Sequence, residues 1–113
     1  MTASEPLVGR HCVACENGTP PLTEAEAGLY LPQVPEWEMR DAKSLRRRFR
    51  FKDFAANMVF VNRIAEIAEA EGHHPDMLIS YNRLRVDLTT HAIGGLAEND
   101  FILAAKRDRV AAG

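Results

Sequence analysis

The chain has 113 residues, a formal net charge of −2 and 27% charged residues, as in an ordinary globular protein of a single domain. The slightly acidic balance argues against a general nucleic-acid-binding protein. No apolar run approaches the ~20 residues that a membrane-spanning helix needs. The N-terminal sequence lacks the apolar core of a signal peptide, so we predict a cytoplasmic protein.

Residues 1–21 contain few apolar side chains and are predicted to form a flexible arm ahead of a domain over residues 22–113. The arm carries His11 and a C-x-x-C pair, Cys12 and Cys15, and this spacing occurs in metal and redox sites. A closed zinc site needs four ligands, and no second C-x-x-C pair follows. We interpret the cysteines as two reduced thiols. A zinc ion that also used His11 would still need ligands from a partner chain.

A short helix is predicted to begin at Thr23, because Thr23 and Glu26 have the spacing of a capping box, and to end at the prolines that follow. Strands are predicted over residues 37–39 and 45–51. In the second strand, one face is predicted to carry Leu45, Arg47, Phe49 and Phe51, and the other face carries only arginines. This pattern indicates either a solvated face or an anion or partner site on the side that carries Arg46, Arg48 and Arg50.

The main core helix is predicted over residues 54–71, with Asp53 as its N-cap. Strands over residues 77–81 and 84–91 and a helix over residues 98–111 follow. The order α-β-β-α-β-β-α predicts an α+β fold with a four-stranded antiparallel sheet and three helices on one face. The apolar stripe of the main helix is predicted to contain Phe54, Met58, Val61, Ile64 or Ala65, and Ala68.

Two adjacent histidines are predicted to lie at a fixed corner between the main helix and the next strand. Gly72 stops the helix, since glycine readily adopts the left-handed conformation. Pro75 favours an extended conformation at His74. The imidazoles of His73 and His74 are therefore held where a helix gives way to a strand.

A third histidine is predicted to join them. A hairpin returns the end of its second strand to the start of its first, so His91, at the end of the strand over 84–91, should lie close to His73 and His74. Glu69 stands one turn before His73 and could reach its imidazole. Because histidine titrates near neutral pH, three imidazoles at one rim predict a site for proton transfer.

These residues carry a family resemblance over roughly residues 12–110. The histidine doublet, its proline and the distant histidine resemble the signature of the pterin-4a-carbinolamine dehydratases, and the lead-in resembles bacterial members of that family. The matching positions are Glu69, His73, His74, Pro75, Tyr81, Thr90, His91, Gly95, Leu96 and Asp100, together with Trp37 and residues 51–54 outside the signature.

The resemblance implies the same α-β-β-α-β-β-α fold, assembled as a homodimer or homotetramer. It implies dehydration of 4a-hydroxytetrahydrobiopterin, or a related 4a-hydroxytetrahydropterin, to the quinonoid dihydropterin, which recycles the cofactor of aromatic amino acid hydroxylases. No metal and no organic cofactor are expected. By position, His73, His74 and His91 are the expected catalytic residues. The expected substrate-binding or supporting residues are Glu69, Thr89, Thr90, Asp100 and Trp37.

The chemistry suits these residue types. Loss of the C4a hydroxyl needs an acid for the leaving oxygen and a base for a proton on nitrogen, and each positioned group typically contributes ~10²–10⁴-fold. The alternative is a dehydratase-like binding protein without catalysis, either a Rubisco assembly factor or a dimerisation cofactor of a transcription factor. The dehydratase-like proteins that assist Rubisco assembly are degenerate and lose histidines that are present here, which favours the enzyme.

Overall fold

The computed structural model describes residues 7–9, 12 and 20–112. Within them the predicted order of helices and strands is confirmed. The elements are α1 (Glu24–Tyr30), β1 (Glu38–Arg40), β2 (Ser44–Arg50), α2 (Phe54–Glu71), β3 (Asp76–Ser80), β4 (Arg83–Leu88) and α3 (Glu98–Ala112). Short 3-10 turns occupy Leu7–Gly9, Leu31–Gln33 and His91–Ile93.

The strands form one antiparallel sheet in the order β1-β2-β4-β3. Its inward side chains come from alternate positions, so that Leu45 lies opposite Leu88 and Met77 opposite Val86. The inward face packs with buried side chains of the helices, including Ile64 of α2 and Phe101 of α3, in one apolar core. The other face carries the predicted arginines of β2.

The α1 capping box is confirmed. The hydroxyl of Thr23 accepts a hydrogen bond from the Glu26 N–H at 3.1 Å, and the Glu26 carboxylate accepts one from the Thr23 N–H at 2.9 Å. These two bonds satisfy backbone donors that the first turn of a helix leaves without partners. The hydrogen bond from the Thr23 N–H also stabilises the ionised Glu26 carboxylate and lowers its pKa.

Helix α2 begins and ends at the predicted residues. The Asp53 carboxylate accepts from the Ala56 N–H at 2.8 Å, and the helix stops at Gly72, whose φ is 65°. After Gly72, the His73 N–H donates to the Ala68 carbonyl at 3.2 Å. The Gly72 N–H donates to the Glu69 carbonyl at 3.3 Å. This pair of bonds is a Schellman motif, which fixes the backbone of His73 against the helix.

The buried stripe of α2 contains Val61, Ile64 and Ala68 as predicted, but it differs from the prediction in the first half of the helix. Phe54 is 49% exposed. The stripe is instead aligned with Asn57, whose side-chain amide donates to the carbonyls of Tyr81 and Arg83 at 2.9 Å each. A polar side chain was not expected in this face, and its two hydrogen bonds attach the helix to the β3–β4 turn. The buried residues of α2 are Asn57, Phe60, Val61, Ile64 and Ala68.

The predicted end of β4 is wrong. The strand ends at Leu88, and Thr90 then pairs with Gly95, whose carbonyl accepts from the Thr90 N–H at 2.9 Å. His91 therefore begins a 3-10 turn instead of ending a strand. A Cβ at Gly95 would lie 2.8 Å from Cβ of Pro21, so the close approach of these two segments requires glycine.

The described parts of the N-terminal segment contact the domain. Leu7 is fully buried in the core, and its N–H donates to the Gln33 side chain at 2.9 Å. His11 and Cys15 lie outside the described residues, and the division between an arm and a domain at residue 21 stays a prediction. Among residues 20–112, no helix is both long enough and apolar enough to cross a membrane.

Candidate active site

A buried carboxylate holds the first of the predicted histidines. The Nε2 atom of His73 lies 2.6 Å from Oδ1 of Asp100, and the Asp100 side chain is fully buried while that of His73 is 12% exposed. An ionised carboxylate can only accept hydrogen bonds, so His73 donates from Nε2. In the neutral ring, Nδ1 is then free of a proton and can accept one.

The second oxygen of this carboxylate joins two further segments. Oδ2 of Asp100 accepts from the Thr90 hydroxyl at 2.8 Å and from the Ala97 N–H at 2.9 Å. The bond to Ala97 satisfies a backbone donor at the start of α3, where an acidic side chain is also favoured by the helix dipole. Three hydrogen bonds therefore fix the carboxylate that orients His73.

The second histidine has the partner that was considered for its neighbour. Glu69 was expected to reach His73, but its Oε1 lies 3.0 Å from Nε2 of His74. This happens because the Schellman motif turns the chain at Gly72 and directs His73 inward to Asp100. The pair lies at the surface, with 59% of the His74 side chain and 78% of the Glu69 side chain exposed.

The third histidine contacts the start of β3. Nε2 of His91 lies 3.4 Å from Oδ2 of Asp76, and both side chains are largely exposed. Asp76 follows His74 by two residues and pairs with Asp87 near the end of β4. Asp76 was not among the predicted site residues, although the predicted hairpin would have placed it beside the end of β4. Each of the three histidines thus has its own carboxylate within 3.4 Å.

Two other predicted site residues support the local structure. The Thr89 hydroxyl donates to the Lys43 carbonyl at 2.7 Å, which attaches the segment after β4 to the turn between β1 and β2. Trp37 is 4% exposed and belongs to the apolar core. Contact of Thr89, Thr90 or Trp37 with a substrate stays a prediction.

Behind the His73–Asp100 pair lies a network that the sequence analysis missed. The Cys12 N–H donates to Oε1 of Glu71 at 2.7 Å, and the Cys12 thiol lies 3.6 Å from the Asn99 carbonyl. Oε2 of Glu71 is 3.8 Å from Nζ of Lys106, so the network also joins α2 to α3. No local signal predicts these contacts, because Cys12 is 59 residues from Glu71 and 87 from Asn99.

The environment of Cys12 keeps its thiol protonated. Burial, and then the carboxylates of Glu71 and Asp100, raise the pKa of the Cys12 thiol from about 9 to about 12. Cys12 is a free cysteine. Among the described residues, no group of three or more His, Cys, Asp or Glu side chains has an arrangement that could hold a metal ion.

Comparison with known proteins agrees with the fold and with the family resemblance of the sequence. The family model described as pterin 4 alpha carbinolamine dehydratase matches residues 20–110. Relatives with the provisional name pterin-4-alpha-carbinolamine dehydratase are 49% identical over 107 residues in Methylococcus capsulatus, covering 94% of each chain, and in Halorhodospira halophila, covering 94% of this chain and 98% of that one.

Two solved structures are also similar. A transcriptional coactivator/pterin dehydratase from Brucella melitensis superposes with a TM-score of 0.74 at 36% identity, over 80% of this chain and 98% of that one. A pterin dehydratase-like protein identified as a RuBisCO assembly factor in the alpha-carboxysome has a TM-score of 0.58 at 23% identity, over 67% of this chain and 89% of that one, which shows the fold alone.

The molecule is thus an α+β protein with three histidine–carboxylate pairs. The chain belongs to the pterin-4a-carbinolamine dehydratase family.

We predict that Thr90→Val destabilises the protein by about 1–3 kcal/mol, because it removes a donor from a carboxylate that stays buried. Urea unfolding followed by circular dichroism measures the change. Thr90→Ser keeps the hydroxyl and is the matched control, expected to lose distinctly less. A loss in Thr90→Val no larger than that in Thr90→Ser would contradict a stabilising role for the hydrogen bond to Asp100.

We also predict that Cys12 reacts slowly while the protein is folded. In a Cys15→Ser variant near pH 8, alkylation by iodoacetamide should be at least about tenfold slower than in the same protein unfolded in urea, because the raised pKa leaves less thiolate. The same shift means that stability falls as the pH rises from about 9 towards 12, since only the unfolded thiol loses its proton there. Equal alkylation rates in the two states would contradict the description of this thiol.

Proposed function

We propose that this protein is an enzyme of the cytoplasm that dehydrates a 4a-hydroxytetrahydropterin to the quinonoid dihydropterin, as a step in recycling a pterin cofactor. The observation that carries the proposal is the His73–Asp100 pair, held by Thr90 and Ala97 within a family named for this reaction. The aromatic amino acid hydroxylases are the expected source of the substrate.

The reaction needs two proton transfers of opposite direction. The hydroxyl at C4a leaves as water once an acid protonates it, and a base takes a proton from a ring nitrogen so that the new double bond can form. Histidine can perform either transfer near neutral pH. Two imidazoles in different protonation states therefore suffice, and the bond changes need no electron donor or acceptor.

The three pairs support a division of labour. Asp100 stabilises the positive charge on His73 whenever that ring is protonated, and its three hydrogen bonds prevent the ring from turning. His74 and His91 are more exposed and have exposed carboxylates as partners, so they are better able to adjust to a bound substrate. We propose His73 as the fixed proton-transfer group, and His74 and His91 as the groups that complete the acid–base set.

The binding alternative predicts a different use of these residues. A protein that only binds a partner has no need of a buried carboxylate that orients a partly exposed imidazole. The 23% identical RuBisCO assembly factor establishes a shared fold and gives no argument about the activity of this chain. The retained histidine pairs therefore favour the enzyme.

Replacing His73 should reduce turnover sharply. We predict that His73→Ala lowers kcat for 4a-hydroxytetrahydrobiopterin by about 10²–10⁴-fold, because it removes a positioned proton-transfer group. The absorbance of the quinonoid product follows the reaction, after subtraction of spontaneous dehydration. Asp100→Asn should lower kcat more than it changes KM, since Asp100 acts on the ring and lies too deep to contact the substrate.

Controls separate catalysis from folding and from metal. Arg63→Ala, at an exposed position of α2, should keep the parent kcat, and all variants should retain the parent circular dichroism. Activity should survive chelation, because acid–base catalysis by histidine needs no metal. An unchanged kcat in His73→Ala would remove His73 from the catalytic set. If the parent itself did not exceed spontaneous dehydration, the binding alternative would replace the proposal.

We further propose that the protein is a homodimer or homotetramer. Strand β3 lies at an edge of the sheet and exposes Leu78 and Ile79, at 55% and 38%. An exposed apolar edge strand is a template for pairing with another chain, and two-fold pairing closes the interface. Light scattering at micromolar concentration in physiological salt should give at least twice the chain mass of 12.6 kDa. A constant monomer mass would refute this assembly.

A further inference from the structure

The outer face of the two central strands contains consecutive pairs of like charge. In the register of β2 with β4, Arg48 lies opposite Arg85 and Arg50 opposite Arg83. Alternate residues of a strand point to the same face, so all four side chains project from the face that the helices leave open. Like charges directly opposite each other destabilise an antiparallel pair.

Neutralising carboxylates are confined to one end of this face. Asp87 accepts from Arg46 at 2.6 Å and from Arg85 at 3.0 Å, and Glu38 lies 3.9 Å from Arg48. The part of this face near the β3–β4 turn has no such ion pairs among the described residues. Within the described residues, Arg50 and Arg83 have no carboxylate at ion-pair distance.

These arginines line an open groove together with exposed residues of β3. We define the arginine groove by the residues Arg48, Arg50, Arg83, Arg85, Leu78 and Ser80. A sheet face can be made soluble by opposite charges placed across from each other, as Arg46 and Asp87 are at the other end of the same strands. Four arginines around one groove instead concentrate positive charge on a chain whose net charge is −2.

We propose that the arginine groove binds an extended acidic segment of a partner protein, with carboxylates at alternate positions. Arginines at alternate positions of a strand are about 6.6–6.8 Å apart, which is also the spacing of alternate side chains in an extended peptide. In this proposal one carboxylate lies between Arg50 and Arg83, and the next lies beside Arg48 and Arg85, which also have Glu38 and Asp87 as partners. Guanidinium groups bind carboxylates through two parallel hydrogen bonds, so each pair can hold its anion firmly.

The rest of the groove favours a polypeptide over other anions. Leu78 is 55% exposed beside the arginines and offers an apolar surface to a side chain of the segment. A phosphate ion has no group for that surface. The groove lies towards the β3–β4 turn, whereas His91 contacts the opposite end of β3 at Asp76, so the two sites are separate.

Fluorescence anisotropy with two labelled peptides tests the proposal. One peptide alternates glutamate with serine, and the other has the same composition with its glutamates in one block. At roughly physiological salt, where long-range attraction is screened, the alternating peptide should bind at least about tenfold more tightly. Arg50→Glu should weaken that binding by at least about tenfold, and Arg83→Lys should weaken it less, because lysine keeps the charge and loses the planar fork.

Arg63→Glu is the matched control, because it makes the same charge change at an exposed position of α2. It should leave binding of the alternating peptide unchanged. Equal binding of the two peptides, or equal losses in Arg50→Glu and Arg63→Glu, would mean general attraction of acidic chains and would overturn the proposal. Displacement of the peptide by millimolar inorganic phosphate would identify a small-anion site and overturn it as well. So would self-association that disappears in Arg50→Glu, since the occupant would then be a second copy.

Stability provides a readout that a solvated face does not predict. Arg50→Glu replaces an Arg–Arg pair by a Glu–Arg pair, so the Tm should rise by about 1–5 °C while peptide binding is lost. Dehydratase turnover should stay at the parent value, so failure of this proposal and failure of the proposed function are distinguishable. A lower Tm in Arg50→Glu would show that the arginine serves the fold and would count against a binding role.

Discussion

Three segments of the chain meet on one buried carboxylate, and the candidate site depends on that contact. Asp100 is fully buried and accepts from His73 after α2, from Thr90 after β4 and from Ala97 before α3. A buried carboxylate without donors would cost several kcal/mol. Loss of any one donor therefore weakens the position of the other two segments. The fold fixes the ring of His73 in this way before any substrate arrives, which is what an acid–base catalyst requires.

The next layer of contacts holds the helix ends that bring His73 and Asp100 together. Glu71, the last residue of α2, accepts from the Cys12 N–H and faces Lys106 of α3. The Cys12 thiol in turn contacts the carbonyl of Asn99, the residue before Asp100. Cys12 thus contacts both helices beside the site. Its protonated thiol is a hydrogen-bond donor to this carbonyl.

Signals that act within a few residues were readable from the sequence, and contacts made across the chain were not. Gly72 and the capping box of α1 gave correct helix ends, and alternation gave the sheet faces. The end of β4 was wrong because the pairing of Thr90 with Gly95 depends on a close approach to Pro21. The partner of Glu69 was wrong because helical spacing alone cannot show that the buried Asp100 binds His73. The polar Asn57 was missed because its partners lie in a turn formed much later in the chain.

The charges on the open face of the sheet have two different arrangements along the same strands. Near the histidines, Asp87 joins Arg46 and Arg85, so this end is neutralised and its side chains are held. Near the β3–β4 turn, Arg50 faces Arg83 and repulsion opposes their pairing. A neutral, ordered end is consistent with the proposed acid–base site, which needs groups held in place. The end with concentrated positive charge is destabilised by repulsion in the free protein. In our proposal a bound anion relieves that repulsion, and the free energy so recovered contributes to the affinity for the partner.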